Sequence, residues 1–173
     1  MAAPNEITET DRKFLQRSVE LAAEALAAGD EPFGSVLVND TGEVLFEDRN
    51  RVKDGDHTQH PEFAIARWAA QNLSVAERES ATVYTSGEHC PMCAAAHGWV
   101  RLGRIVYASS SAQLTLWRSK WGFEPGPVAP LPITTVVPEA VVAGPDSRLS
   151  LEVRALQARL LGVDESDPTR PAN

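Results

Sequence analysis

The order in which apolar segments follow one another constrains this chain most. Phe14, Leu15, Val19, Ala22, Ala23 and Leu26 recur at helical spacing, predicting a helix from about Glu9 to Ala28. Thr8 or Thr10 can cap its start, and Gly29 ends it. Two short runs, "GSVLVND" and "EVLFEDRN", flank Asp40-Thr41-Gly42, a hairpin signal. After the polar loop "RVKDGDHTQ", helix and strand alternate. "HPEFAIARWAAQNLS" is a second helix with Pro61 in its first turn, where proline is favoured. "ATVYTS" is a strand, "CPMCAAAHGWVRLG" a third helix, "RIVYASS" a strand and "SAQLTLWRSKWGF" a fourth helix. Four prolines between Glu124 and Pro132 make that stretch a loop. "ITTVVPEAVVA" reads as a fifth, shorter strand, and "SRLSLEVRALQARLLG" as a terminal helix. This pattern is that of a layered α/β architecture. At 173 residues the chain suits a single domain over 1–162, followed by a disordered tail over 163–173.

Both cysteines, Cys90 and Cys93, fall in the one frame "SGEHCPMC". Such a pair serves as a redox couple, as half of a structural metal site, or as two ligands of a catalytic metal. At i and i+3 they share one side of the third helix, and the positive end of that helix favours the thiolates that bind metal. Thirty residues earlier, His60 opens the neighbouring helix and Glu62 follows it, giving His-x-Glu. His60, Cys90 and Cys93 make three ligands. A tetrahedral zinc with three protein ligands keeps one position for water, whereas a structural zinc needs four. Glu62, two residues along, can reach that position and move protons without competing for the metal.

His60-Pro61-Glu62 with Cys90-Pro91-Met92-Cys93 resembles the zinc-dependent cytidine deaminase superfamily, whose signature is His-x-Glu followed by Pro-Cys-x-x-Cys. The likeness runs roughly from Phe14 to Ser110, and "EPFGSVLV" and "YTSGEHCPMC" are most similar to the guanine deaminase branch. It implies a five-stranded mixed sheet flanked by helices, one catalytic zinc, a small nucleobase-like substrate and a homodimer. It also implies that Asn50 hydrogen-bonds the base and that Phe33 packs on its face. Two positions depart from the pattern. His89 stands where the family has proline, and Pro61 stands where the commoner form has an alanine whose backbone N–H faces the ring. Pro61 and His89 are therefore candidate specificity residues.

The expected reaction is hydrolytic deamination of guanine or a guanine-like base, including aminotriazines, with release of ammonia. The enzymatic rivals are deamination of adenosine in tRNA and deamination of cytosine; the rival of another class is a zinc-stabilised scaffold. Sixteen basic against twenty-four acidic residues leave a charge of −8, which repels a phosphate backbone. No apolar run reaches membrane-spanning length and no leader is evident, so a cytoplasmic protein is expected. Trp117 and Trp121, four apart on the fourth helix, read as core or dimer packing, and His97 as a packed histidine.

Overall fold

The computed structural model describes residue 3 and residues 5–166. Helix α1 (Glu9–Ala27) starts at Thr8, whose hydroxyl accepts from the Asp11 N–H while the Asp11 carboxylate accepts from the Thr8 N–H. Gly29, at φ 87, supplies the left-handed turn that stops it. Strands β1 (Gly34–Val38) and β2 (Val44–Arg49) form the expected hairpin. Helix α2 (Pro61–Asn72) is followed by α3 (Val75–Ser80), then β3 (Thr82–Gly87), α4 (Pro91–Trp99) and β4 (Arg104–Ser109). Beyond α5 (Ser111–Lys120) come a single turn, α6 (Ile133–Val136), the two-residue strand β5 (Val142–Ala143) and α7 (Leu149–Leu160).

The five strands run in the order β2-β1-β3-β4-β5. The β1 pairings are antiparallel, while β3–β4 and β4–β5 are parallel, so the sheet is mixed as expected. Alternation along the strands sends Val36, Val38, Tyr84 and Val106 to one face, against α1, α7 and Trp117 of α5. Leu37 and Val83 turn to the other face with Ile65 and Ala66 of α2, and Ile105 joins Ala94 of α4 and Ile133 of α6. Burial on both faces explains why β1, β3 and β4 read as predominantly apolar runs.

Gly34 sets the closest approach between layers, since a Cβ there would collide with the Leu21 Cβ and the Ser18 carbonyl of α1. Buried carboxylates tie the layers further. Asp11 accepts from Arg104 Nη1 at 2.7 Å and from the Tyr84 hydroxyl at 2.9 Å. Asp30 accepts from Arg49 Nη1 at 2.8 Å and from the Lys53 N–H at 3.0 Å, and Asp146 holds Arg12 Nε at 2.9 Å.

Two segments differ from expectation. "ITTVVPEAVVA" is not a strand throughout: Ile133–Val136 coils into α6 and only Val142 and Ala143 pair with β4. The β-branched run is overruled because Ile133 is buried and its N–H is bonded to Glu88, and because Pro138 interrupts the run. Helix α3 was not legible as a separate element because none of its residues is buried. Of the tail, Val163 donates its N–H to the Ala158 carbonyl and Glu165 pairs with Arg154. Residues 167–173 lie outside the described residues. Trp117 is core, with Trp121 packed beside it and Arg154 over the Trp121 ring.

Candidate active site

The starts of α2 and α4 converge at one point beside the sheet. His60 is the N-cap of α2 and Cys90 the N-cap of α4, and neither side chain caps its own helix. Proline at the first helical position of both leaves one fewer N–H to satisfy, which releases the preceding side chains for another task. His60 Nδ1 stands 3.6 Å from Cys90 Sγ and 3.6 Å from Cys93 Sγ, and the two sulfurs are 3.5 Å apart. Tetrahedral zinc with Zn–S near 2.3 Å and Zn–N near 2.0 Å calls for ligand separations of about 3.6 Å and about 3.8 Å. The triad fits within a few tenths of an ångström, and its two thiols and imidazole are the donors zinc favours. Cys93 beside it pulls the Cys90 thiol down to about 4 against the effect of burial, with His60 assisting. Cys90 and burial together push Cys93 up, so the pair shares one proton that a metal would displace.

Glu62 is buried and turns back toward the same point. Its Oε1 lies 2.7 Å from the Thr85 hydroxyl and 3.0 Å from the Ser35 hydroxyl, while Oε2 lies 3.9 Å from Cys93 Sγ. With the carboxylate ionised, both hydroxyls donate to Oε1, and Oε2 is left for proton exchange. Burial raises the Glu62 pKa; the nearby His60 charge and the Thr85 bond oppose it. Ser35 and Thr85 were not picked out from the sequence. Their signal was available as polar residues inside the apolar strands "GSVLV" and "TVYTSG".

A cavity of about 580 Å³ opens onto these groups. Phe33, His60, Glu62, Cys90 and Pro91 line its inner end; Glu88, one face of α5 and the segment from Gly122 to Pro130 form the rest. Phe33 thus stands where a bound ring would lie, packed against Gly87. Asn50 is fully buried, with its N–H bonded to the Phe33 carbonyl and its Oδ1 accepting from the Val52 N–H. Its Nδ2 has no protein partner. Pro61 is buried at the first position of α2, and His89 is 1% exposed, stacked edge-on against His97 at 5.4 Å. Neither lines the cavity. Burial, then the neighbouring His97, drives the His89 pKa well below its ordinary value, so its ring is neutral. Glu88 was not singled out from the sequence either. One carboxylate oxygen accepts from the Ser111 N–H at the start of α5, the other from the Ile133 N–H at the start of α6.

A histidine and two thiols set for zinc, a buried carboxylate beside them and a mixed α/β sheet behind them define a metal-dependent deaminase. Residues 8–109, more than half of the chain, match the model of the cytidine and deoxycytidylate deaminase zinc-binding region. The chain belongs to this family, and zinc is its metal. A probable cytosine deaminase of Schizosaccharomyces pombe is 32% identical over 117 residues, 68% of this chain and 71% of that protein. A guanine deaminase of Bacillus subtilis is 40% identical over 98 residues, 56% of this chain and 62% of that protein. A tRNA-specific adenosine deaminase of Haemophilus influenzae is 32% identical over 117 residues, 67% of this chain and 68% of that protein. The fold is similar to that of the solved guanine deaminase of Nitrosomonas europaea, with a TM-score of 0.65 at 20% identity over 94% of this chain and 86% of that one.

Proposed function

We propose that this deaminase acts on free amino-substituted heterocyclic bases, guanine or a guanine-like base first, with aminotriazines in the same class. The observation that carries this reading is the inner end of the cavity, where Phe33 offers a face for a flat ring on the wall it shares with Glu62, whose Oε2 lies 3.9 Å from Cys93 Sγ. His60, Cys90 and Cys93 would hold the zinc, and the metal supplies a water whose pKa falls toward about 7. Phe33 orients the ring so that its amino-bearing carbon faces Glu62. Glu62 takes one proton from water at Oε2 and gives it to a ring nitrogen as the water oxygen bonds to the amino-bearing carbon. It then takes a second proton, from the hydroxyl now on that carbon, and gives it to the amine. The C–N bond breaks, a C=O bond forms, and ammonia leaves. Thr85 and Ser35 keep Oε1 fixed throughout. The orphaned Nδ2 of Asn50, buried one backbone bond from Phe33, supports the base-contacting role assigned to it.

Opposing deamination of tRNA are the charge of −8 and three carboxylates, Glu62, Glu88 and Glu124, on the cavity wall. Favouring it, and favouring cytosine, are relatives of comparable similarity that carry those names. The reading includes a homodimer, supported by Trp99, which stands 87% exposed on α4. The test is ammonia release by zinc-replete protein from guanine, adenine, cytosine, aminotriazines and a tRNA anticodon stem-loop, with Glu62→Gln alongside. Turnover of a free purine or triazine, lost in the variant, is the expected result. Turnover confined to the stem-loop or to cytosine would replace this substrate assignment.

A further inference from the structure

The outer part of the cavity holds a charge that the reaction does not use. Helix α5 turns Ser111, Leu114, Thr115, Arg118 and Ser119 toward it, one face at helical spacing. Arg118 is the single Arg or Lys in that lining. Arg49 and Arg104, similarly shielded, each hold a buried carboxylate. Arg118 has no such partner among the described residues, and its Nε is buried without any acceptor. Leaving a shielded guanidinium N–H unpaired is costly, so an acceptor delivered by a ligand is favoured there.

The carboxylates of the same wall do not fill that role. Glu62 is bonded to Ser35 and Thr85, and Glu88 to the Ser111 and Ile133 N–H groups. Glu124 makes no ion pair among the described residues. Glu88 stands two residues before Cys90 and anchors the start of α5, so Ser111 marks the metal end of the helix. Arg118 lies seven residues further on, about 10 Å along the axis at about 1.5 Å per residue. That separation suits a group at the far end of a ring whose amino-bearing carbon meets Glu62. A guanidinium matches paired anionic oxygens in geometry as well as charge. A polyanion would meet the overall charge of −8 before reaching a lone cation inside the cavity.

We propose that Arg118 sets substrate preference by binding one anionic group, a carboxylate or a phosphate, carried by the heterocycle away from its reacting amine. This rests on the deaminase reading of the same cavity.

The experiment measures kcat/KM for ammonia release on matched neutral and anionic partners: cytosine with 5-carboxycytosine, cytidine with CMP, and guanosine with GMP. Zinc-replete wild type is compared with Arg118→Gln and Arg118→Lys, with zinc content and Tm confirming that each is folded. The expected result is an anionic-to-neutral ratio of ten or more in one series, carried by KM. That ratio falls tenfold or more in Arg118→Gln and is partly restored in Arg118→Lys. The carboxylate or phosphate series in which it appears identifies the source. A ratio near one in wild type, or one unchanged in Arg118→Gln, overturns the proposal.

If no compound here releases ammonia, the separate assay on guanine and aminotriazines decides the deaminase reading, and calorimetry with zinc-loaded Glu62→Gln decides Arg118. Tighter binding of an anionic partner, lost in Glu62→Gln/Arg118→Gln, upholds the anion site. Equal binding of neutral and anionic partners refutes it.

Discussion

The inner and outer ends of the cavity are built differently. At the inner end, His60, Glu62, Cys90 and Cys93 sit on the first turns of two helices backed by the sheet, and Glu62 has protein partners for the oxygen it does not use. At the outer end, Phe123 is 39% and Val128 58% exposed, and four prolines limit backbone bonding between Glu124 and Pro132. The family match spans 8–109 and so stops before α5 begins at Ser111. Phe33, Asn50 and the proposed reacting groups fall within the family match, and the proposed role of Arg118 adds a contribution to substrate choice from a wall outside it. Relatives bearing the names of three different substrates are consistent with that division.

The largest expected effect that would break this division is at the metal triad. Cys93→Ala should lose bound zinc by atomic absorption and lower turnover to background; retention of both would remove the triad from the mechanism. Next comes the support of Glu62. Thr85→Val with Ser35→Ala should lower kcat about 10- to 100-fold at unchanged zinc content, the usual scale for groups that orient a reacting residue. A rise in KM alone would place those hydroxyls in substrate binding instead. At the outer end Leu114→Ala should raise KM roughly 3- to 10-fold, equivalent to about 1 kcal/mol of apolar contact, and leave kcat nearly intact. A kcat loss matching that of the Thr85 variant would erase the distinction between the ends.

The smallest effect concerns acid stability of the scaffold. Burial alone would raise Asp11, but Arg104 and Thr8 hold it below its ordinary value; Asp146 is likewise held down against burial by the Leu149 N–H and by Arg12. Because these native carboxyls ionise at lower pH than in the unfolded chain, their contribution is complete above the ordinary value of 3.8. It is lost as pH falls through the depressed native values. Guanidinium midpoints should hold steady down to about pH 5 and then fall, less steeply in Asp146→Asn. An unchanged slope in that variant would assign the acid response to other groups.

Sequence pattern reached the inner end better than the outer one. Metal ligands and Glu62 stand out because their chemistry needs particular residue types at helix starts, and helix periodicity located those starts. The fold was legible for the same reason: β1, β3 and β4 are buried on both faces and read as predominantly apolar runs. Helix α3 has a signal of another kind, the capping box of Ser74 with Glu77, which the absence of an apolar stripe obscured. The turn at Ile133 was illegible because its cause, Glu88, is 45 residues away. Arg118 could not be distinguished from a solvated arginine without knowing which carboxylates its neighbours already hold.

Glu88 carries a consequence beyond architecture. Its two oxygens fasten two separate segments of the cavity wall, and its backbone leads directly into the loop that presents Cys90. Whatever free energy metal binding passes through Glu88 to the cavity wall, filling the cavity returns to the metal site in equal measure.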